Sequence, residues 1–133
     1  MTQRRYYRQI VIRYISVPTK DESNDTELDY IYQCLGLGDE KDDVGPLVFK
    51  ALVKASMDGT GISSRDIMQL SEVSQAAVIY HLNLFQRSGL VIRDGRMYYL
   101  RGRTLEDTLG EMQNDMHRRF GHLKEIARKI EKI

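Results

Sequence analysis

Few residues in this chain have the side chains that chemistry needs. The 133-residue sequence holds one cysteine, Cys34, and three histidines, His81, His117 and His122. A single thiol excludes a disulfide within one chain and any multi-cysteine zinc site, and it points to a reducing interior. Asp115-x-His117 and His122-x-x-Glu125 pair carboxylates with imidazoles, the residue types of a metal site. His117 and His122 are five residues apart, however, which turns them to different faces of a helix. No glycine-rich phosphate loop, no histidine–glutamate zinc motif and no nucleophile beside a recognisable base is present. The residues therefore give no catalytic site, no metal and no cofactor, and the expectation is not an enzyme.

What remains is charge and hydrogen bonding. The formal net charge is only +1, but it is segregated. Residues 1–20 sum to +5, residues 21–43 to −8, and residues 75–105, with Arg87, Arg93, Arg96, Arg101 and Arg103 against Asp94, to +4. Two basic regions on a near-neutral chain matter more to a polyanion than the total does. Charge clusters also solvate ordinary surfaces, so this alone does not name a partner. No apolar run approaches the ~20 residues of a membrane helix, and no leader resembles a signal peptide.

The elements that carry these residues are punctuated clearly. Tyr6 to Val17 is β-branched and aromatic, reading as a strand or a buried helix. Leu28, Ile31, Tyr32 and Leu35 form an amphipathic helical stripe starting near Asn24 and stopped by Gly36 and Gly38. The acidic run Asp39 to Asp43 reads as a solvated connection. A helix opens near Pro46, with Val48, Ala51, Leu52 and Ala55 inward. Ser63 and Asp66 are spaced as a capping box for a short helix through Ile67 and Leu70, and Ser74 caps another from Gln75 to about Arg87. Two β-prone runs, Leu90–Arg93 and Arg96–Leu100, flank Asp94-Gly95, a dipeptide that tolerates the positive φ of tight hairpins.

Beyond Thr104, which with Asp107 supplies another capping box, the period changes. Leu105, Leu109, Met112, Met116, Arg119, Leu123, Ile126, Ile130 and Ile133 step alternately by four and three residues. That 3.5-residue repeat is the seam of a coiled coil, in which Arg119 would fix register at some cost in stability. So long a helix with so narrow a stripe calls for a partner, most economically a second copy of the chain. The alternative is a helix folded back on its own N-terminal segment.

The segment ISSRDIMQLSEVSQAAVIYHLNLFQRSGLVIRDGRMYYL resembles the winged helix-turn-helix of ArsR-like transcriptional regulators, and with the helix from Pro46 the resemblance covers about half the chain. It implies a mainly α fold with a small β-hairpin wing at Asp94-Gly95, and a recognition helix at about Gln75–Arg87. The expected division is an N-terminal extension (1–43), a winged helix-turn-helix (44–103) and a C-terminal dimerisation helix (104–133).

Spacing on the recognition helix turns Val78, Leu82 and Phe85 inward, with Ala77, His81 and Leu84 alongside. It leaves Gln75, Ala76, Ile79, Tyr80 and Asn83 outward. Amides suit adenine edges and small apolar groups suit thymine methyls. Phosphate contacts are expected from Ser63, Ser64 and Arg65 at a helix start, and from Arg93, Arg96, Arg101 and Arg103 around the wing. The family's thiolate site is missing, because Cys34 lies in the extension, and the histidine–carboxylate spacing is too short for the family's other metal site. The expected function is a homodimeric, sequence-specific regulator binding double-stranded DNA, cytoplasmic and nucleoid-associated, its small-molecule or metal effector open. A chromatin-like architectural protein and a winged-helix protein-interaction module are the alternatives.

Overall fold

The computed structural model describes residues 24–38 and 41–132. The apolar run Tyr6–Val17, Asp39, Glu40 and Ile133 lie outside these. Five helices and three short strands follow in the order α1 (Asn24–Leu35), α2 (Val44–Met57), β1 (Ile62–Ser63), α3 (Ser64–Leu70), α4 (Gln75–Arg87), β2 (Val91–Asp94), β3 (Met97–Leu100) and α5 (Leu105–Glu131). The fold is mainly helical, with a small antiparallel sheet and a long C-terminal helix. No described helix is long and apolar enough to cross a membrane.

Helix starts are set locally. The Ser63 hydroxyl accepts from the Asp66 N–H at 3.1 Å while the Asp66 carboxylate accepts from the Ser63 N–H at 3.4 Å, a complete capping box. Ser74 accepts from the Ala77 N–H at 3.1 Å, and Thr104 from the Asp107 N–H at 3.0 Å. Each cap satisfies a donor that the helix geometry leaves without a partner, a contribution of about 1 kcal/mol. At the other end of α4, Leu90 N–H bonds Phe85 C=O at 3.0 Å and Gly89 N–H bonds Gln86 C=O at 3.2 Å. This Schellman closure needs the φ of +85° that Gly89 supplies, and it places Leu90 over Phe85, both fully buried.

α2 is the central helix, with Val48, Ala51, Leu52 and Ala55 buried as their spacing requires and Phe49 and Val53 buried too. Ile67 of α3, Val78, Leu82 and Phe85 of α4, and Leu90 and Val91 of the hairpin close the same core. α1 joins it through Tyr32, whose ring lies 5.7 Å from Phe49 and 6.0 Å from Phe85.

The sheet corrects two details. Strand β1 pairs with β3, giving the order β1-β3-β2. Two residues are too few to show alternation, so β1 was invisible in the sequence. The hairpin turn also sits one residue later than expected: Asp94 pairs with Met97 as the last residue of β2, and Gly95-Arg96 form the loop. Gly95 has φ +63° and no other residue type in the described chain has positive φ. Positive φ at the first loop position alone fits a type II′ turn, which asks for glycine there and accepts an arginine next.

Candidate nucleic-acid interface

Helix α4 is divided sharply by burial. Val78, Leu82 and Phe85 are completely buried, and Gln75, Ala76, Tyr80 and Asn83 are exposed, Tyr80 by 52%. Ile79 is half-buried. The outward surface therefore combines two amides, a phenol and an aliphatic edge. No acidic residue occurs anywhere in α4. Its N-terminus thus carries the helix's partial positive charge unopposed within its first turn, a favourable setting for an anion.

The start of α3 is different. Its first turn carries the Asp66 carboxylate, and the Asp66 N–H is taken by Ser63, so the acidic side chain opposes the partial positive charge that the expected anion site would use. Ser64 is half-buried and Arg65 exposed. Because Ser63 pairs with Met97 across the sheet, these residues stand beside the hairpin turn.

The arginines separate into two kinds. Arg96, in the loop, is exposed. Arg93 is exposed but folded back: its Nε donates to Gly95 O at 2.8 Å, and its guanidinium lies 5.5 Å from the Tyr98 ring centroid. Arg101, expected to reach phosphate, is instead an internal tie. Its Nη2 donates to Asp115 Oδ1 at 3.2 Å, its Nε faces Glu111 at 3.3 Å, and its Nη1 reaches Asp115 and the Gly89 carbonyl. The hydrogen bond from Arg101 holds the Asp115 carboxyl below its ordinary range. Arg103 is exposed, its carbonyl accepting from the Ser56 hydroxyl at 3.1 Å.

Asp42 is likewise not the solvated residue that its acidic run implies. Its carboxylate accepts from Tyr32 Oη at 2.7 Å and from Gly45 N–H at 2.8 Å, and stands 3.3 Å from His81 Nε2. The side chains of His81 and Asp42 are only 11% and 10% exposed. A Cβ at Gly38 or Gly45 would overlap the Tyr32 hydroxyl and the Asp42 carboxylate, so both glycines are needed for clearance. His81 Nδ1 is buried without a hydrogen-bond partner among the described residues. Burial lowers the His81 pKa, Asp42 opposing the shift in part.

The expected seam on α5 splits in two. Met112 is buried in the chain's own core, with Leu105 and Leu109 packed against it. Thr108, fully buried on the same turns, donates to Thr104 O at 2.8 Å and accepts from Gly102 N–H at 2.9 Å. These three apolar residues thus face the domain, because α5 leaves the sheet along its surface. Met116 is half-buried, and residues 117–132 are all exposed, including Arg119. Leu123, Ile126 and Ile130 are 49%, 41% and 63% exposed, and so is a residue the repeat passed over, Phe120, at 58%. At 100° per residue Phe120 lies ~40° from Met116 around the helix, at the edge of the stripe, while Arg119 lies ~60° on the other side, among Leu123, Ile126 and Ile130.

Two grooves flank Met116. One, of about 290 Å³, runs between the end of α4 and α5 past Arg87, Gly89, Arg119, Phe120 and Leu123. The other, of about 620 Å³, lies between Leu35 of α1 and Leu109, Met112 and Met116 of α5.

No group of three or more His, Cys, Asp or Glu side chains converges as a metal site among the described residues. The carboxylate of the Asp115-x-His117 pair is engaged by Arg101 and Arg118. Comparison with protein-family models, with curated proteins and with solved structures gives no match to this chain.

Proposed function

We propose that the chain is a winged helix-turn-helix regulator of transcription that binds double-stranded DNA site-specifically as a homodimer. Helix α4 enters the major groove, with Gln75 and Asn83 hydrogen-bonding base edges and Ala76, Ile79 and Tyr80 packing against thymine methyls or phosphate. The β2–β3 hairpin is the wing, with Arg96 at its tip on the DNA backbone and Arg65 contributing from α3.

The observation that carries this reading is the outward face of α4. It is polar, aromatic and acid-free, while the opposite face is fully buried. A helix held this firmly, with bulky groups such as Tyr80 left in water, is preorganised to meet a surface. The unpartnered end of α5 supports the dimer. Its exposed stripe of Leu123, Ile126 and Ile130, with Phe120 at the edge, is met most simply by a second copy. Two tethered wings read half-sites about 34 Å apart, or a multiple of that.

Selection of bound sequences from random duplex DNA, run beside a mass measurement, tests the reading. The expected result is a palindromic site favoured at least ~10³-fold over random DNA, bound by two chains. Tight binding without preference would favour an architectural role, and no duplex binding at low salt would favour a protein partner for Ile79 and Tyr80.

A further inference from the structure

The segment ahead of α2 lies outside everything the DNA reading uses, yet it supplies a carboxylate, that of Asp42, buried against α4. Asp42 touches three elements at once: α1 through the Tyr32 hydroxyl, the first turn of α2 through the Gly45 N–H, and α4 through His81 Nε2. Since Nε2 faces the carboxylate and Nδ1 has no partner among the described residues, Nε2 is the nitrogen assigned the proton. That choice fixes the imidazole in one orientation.

Two aromatic rings pack against the imidazole as well. Tyr80 meets it edge-on, with centroids 5.1 Å apart at 84°, and Phe85 lies 6.1 Å away. Tyr80 is an exposed member of the outward surface, and Asn83 follows His81 by two residues on the same rigid helix. An apolar side chain at position 81 would fill similar space, but it would accept several settings of α4. A buried polar pair with defined partners accepts one.

We propose that Asp42 is a positioning residue: through His81 it sets α4 and the Tyr80 ring, so that α1 and its following loop control duplex affinity without touching the duplex. The inference rests on the DNA reading for its effect on affinity, and on the geometry alone for its effect on α4. Binding falls when Asp42 loses the oxygen that meets His81 and Gly45 and survives when that oxygen is kept.

The test compares Asp42→Ala, Asp42→Asn and Tyr32→Phe with the wild type in the full chain. One readout is affinity for a random-sequence duplex pool at low salt, the other hydrogen–deuterium exchange in α4 relative to α5. Asp42→Ala should weaken duplex binding about tenfold and speed exchange in α4 more than in α5. Asp42→Asn keeps an oxygen for Nε2–H and for Gly45, and should stay within about threefold of wild type. If Asp42→Ala does not fold, Tyr32→Phe decides, because it removes the hydrogen bond to Asp42 and keeps the ring; faster α4 exchange with weaker binding is expected. Unchanged α4 exchange in the folded variants overturns the proposal, as does an Asp42→Asn protein as impaired as Asp42→Ala. A wild type that binds no duplex defeats the DNA reading instead, and the exchange data still judge the role of Asp42.

Discussion

Arg101, the residue after β3, and Asp115, in the first half of α5, are joined by a two-point fork, with the Gly89 carbonyl at the end of α4 on the same guanidinium. One side chain therefore sets the angle at which the long helix leaves the domain that carries α4. In a dimer built on α5, that angle would determine the distance between the two copies of α4.

Removing the fork should loosen the angle more than the fold. Asp115 is 36% exposed at its side chain and solvent screens the pair, so Asp115→Asn should cost only ~0.5–1 kcal/mol in chemical denaturation. Arg101→Lys should not restore the geometry, because an ammonium cannot make the parallel pair of bonds. The larger expected effect is lost preference for one half-site spacing, read by binding to operators with inserted base pairs.

The split of the α5 stripe gives two opposite outcomes on one helix. Met112→Ala removes a buried core side chain and should cost about 2–5 kcal/mol of folding free energy at any protein concentration. Phe120→Ser combined with Leu123→Ser touches only exposed groups. It should leave the folded domain intact, lower the mass in sedimentation from two chains to one, and abolish the concentration dependence of Tm. A double variant that still sediments as a dimer would move the interface elsewhere.

Much of this architecture was legible because its signals are local. Ser63 with Asp66, Ser74 with Ala77, and Thr104 with Asp107 each lie three residues apart, and a cap of that span is written in the chain. Helical period placed Val78, Leu82 and Phe85 inward and Gln75, Ala76, Tyr80 and Asn83 outward, while Ile79, expected outward, is half-buried. What stayed hidden depends on partners distant in sequence. Asp42 sits in an acidic run and only the packing of α1 and α4 around it shows why it is buried, while Arg101 finds Asp115 fourteen residues on. The stripe of α5 carries no mark of where the domain ends and a partner begins, since both burial environments select the same residue types.

On the surface proposed to face DNA, the arginines should not behave alike. Arg96→Ala should weaken binding to all sequences and reduce the slope of affinity against salt by about one. Arg93 is folded against Gly95 and Tyr98, so Arg93→Ala should act mainly by loosening the turn, with a smaller change in salt slope. Asn83→Ala should instead relax base preference at one position by ~1–3 kcal/mol while leaving non-specific binding intact, as read from selected sequences. Unchanged selection and unchanged salt slope in both Asn83→Ala and Arg96→Ala would remove α4 and the hairpin from the interface.

The His81 site gives stability a pH dependence whose sign follows from its burial. Its folded pKa lies below the ordinary 6.5, so as pH falls through that value the unfolded chain takes up a proton before the folded one does. This contribution to stability is complete above pH 6.5 and is lost progressively as pH drops towards the lower folded value. Protonation there would also place a second N–H, at Nδ1, where the described residues offer no acceptor. Asp115 acts in the same direction in a separate window, its contribution being lost only below about its ordinary 3.8. Thermal melts between pH 7.5 and about 5 should therefore show a falling Tm in the wild type. His81→Gln, which still offers Asp42 a donor and does not titrate, should flatten the curve over that range. An equally steep fall in His81→Gln would assign the proton to another group.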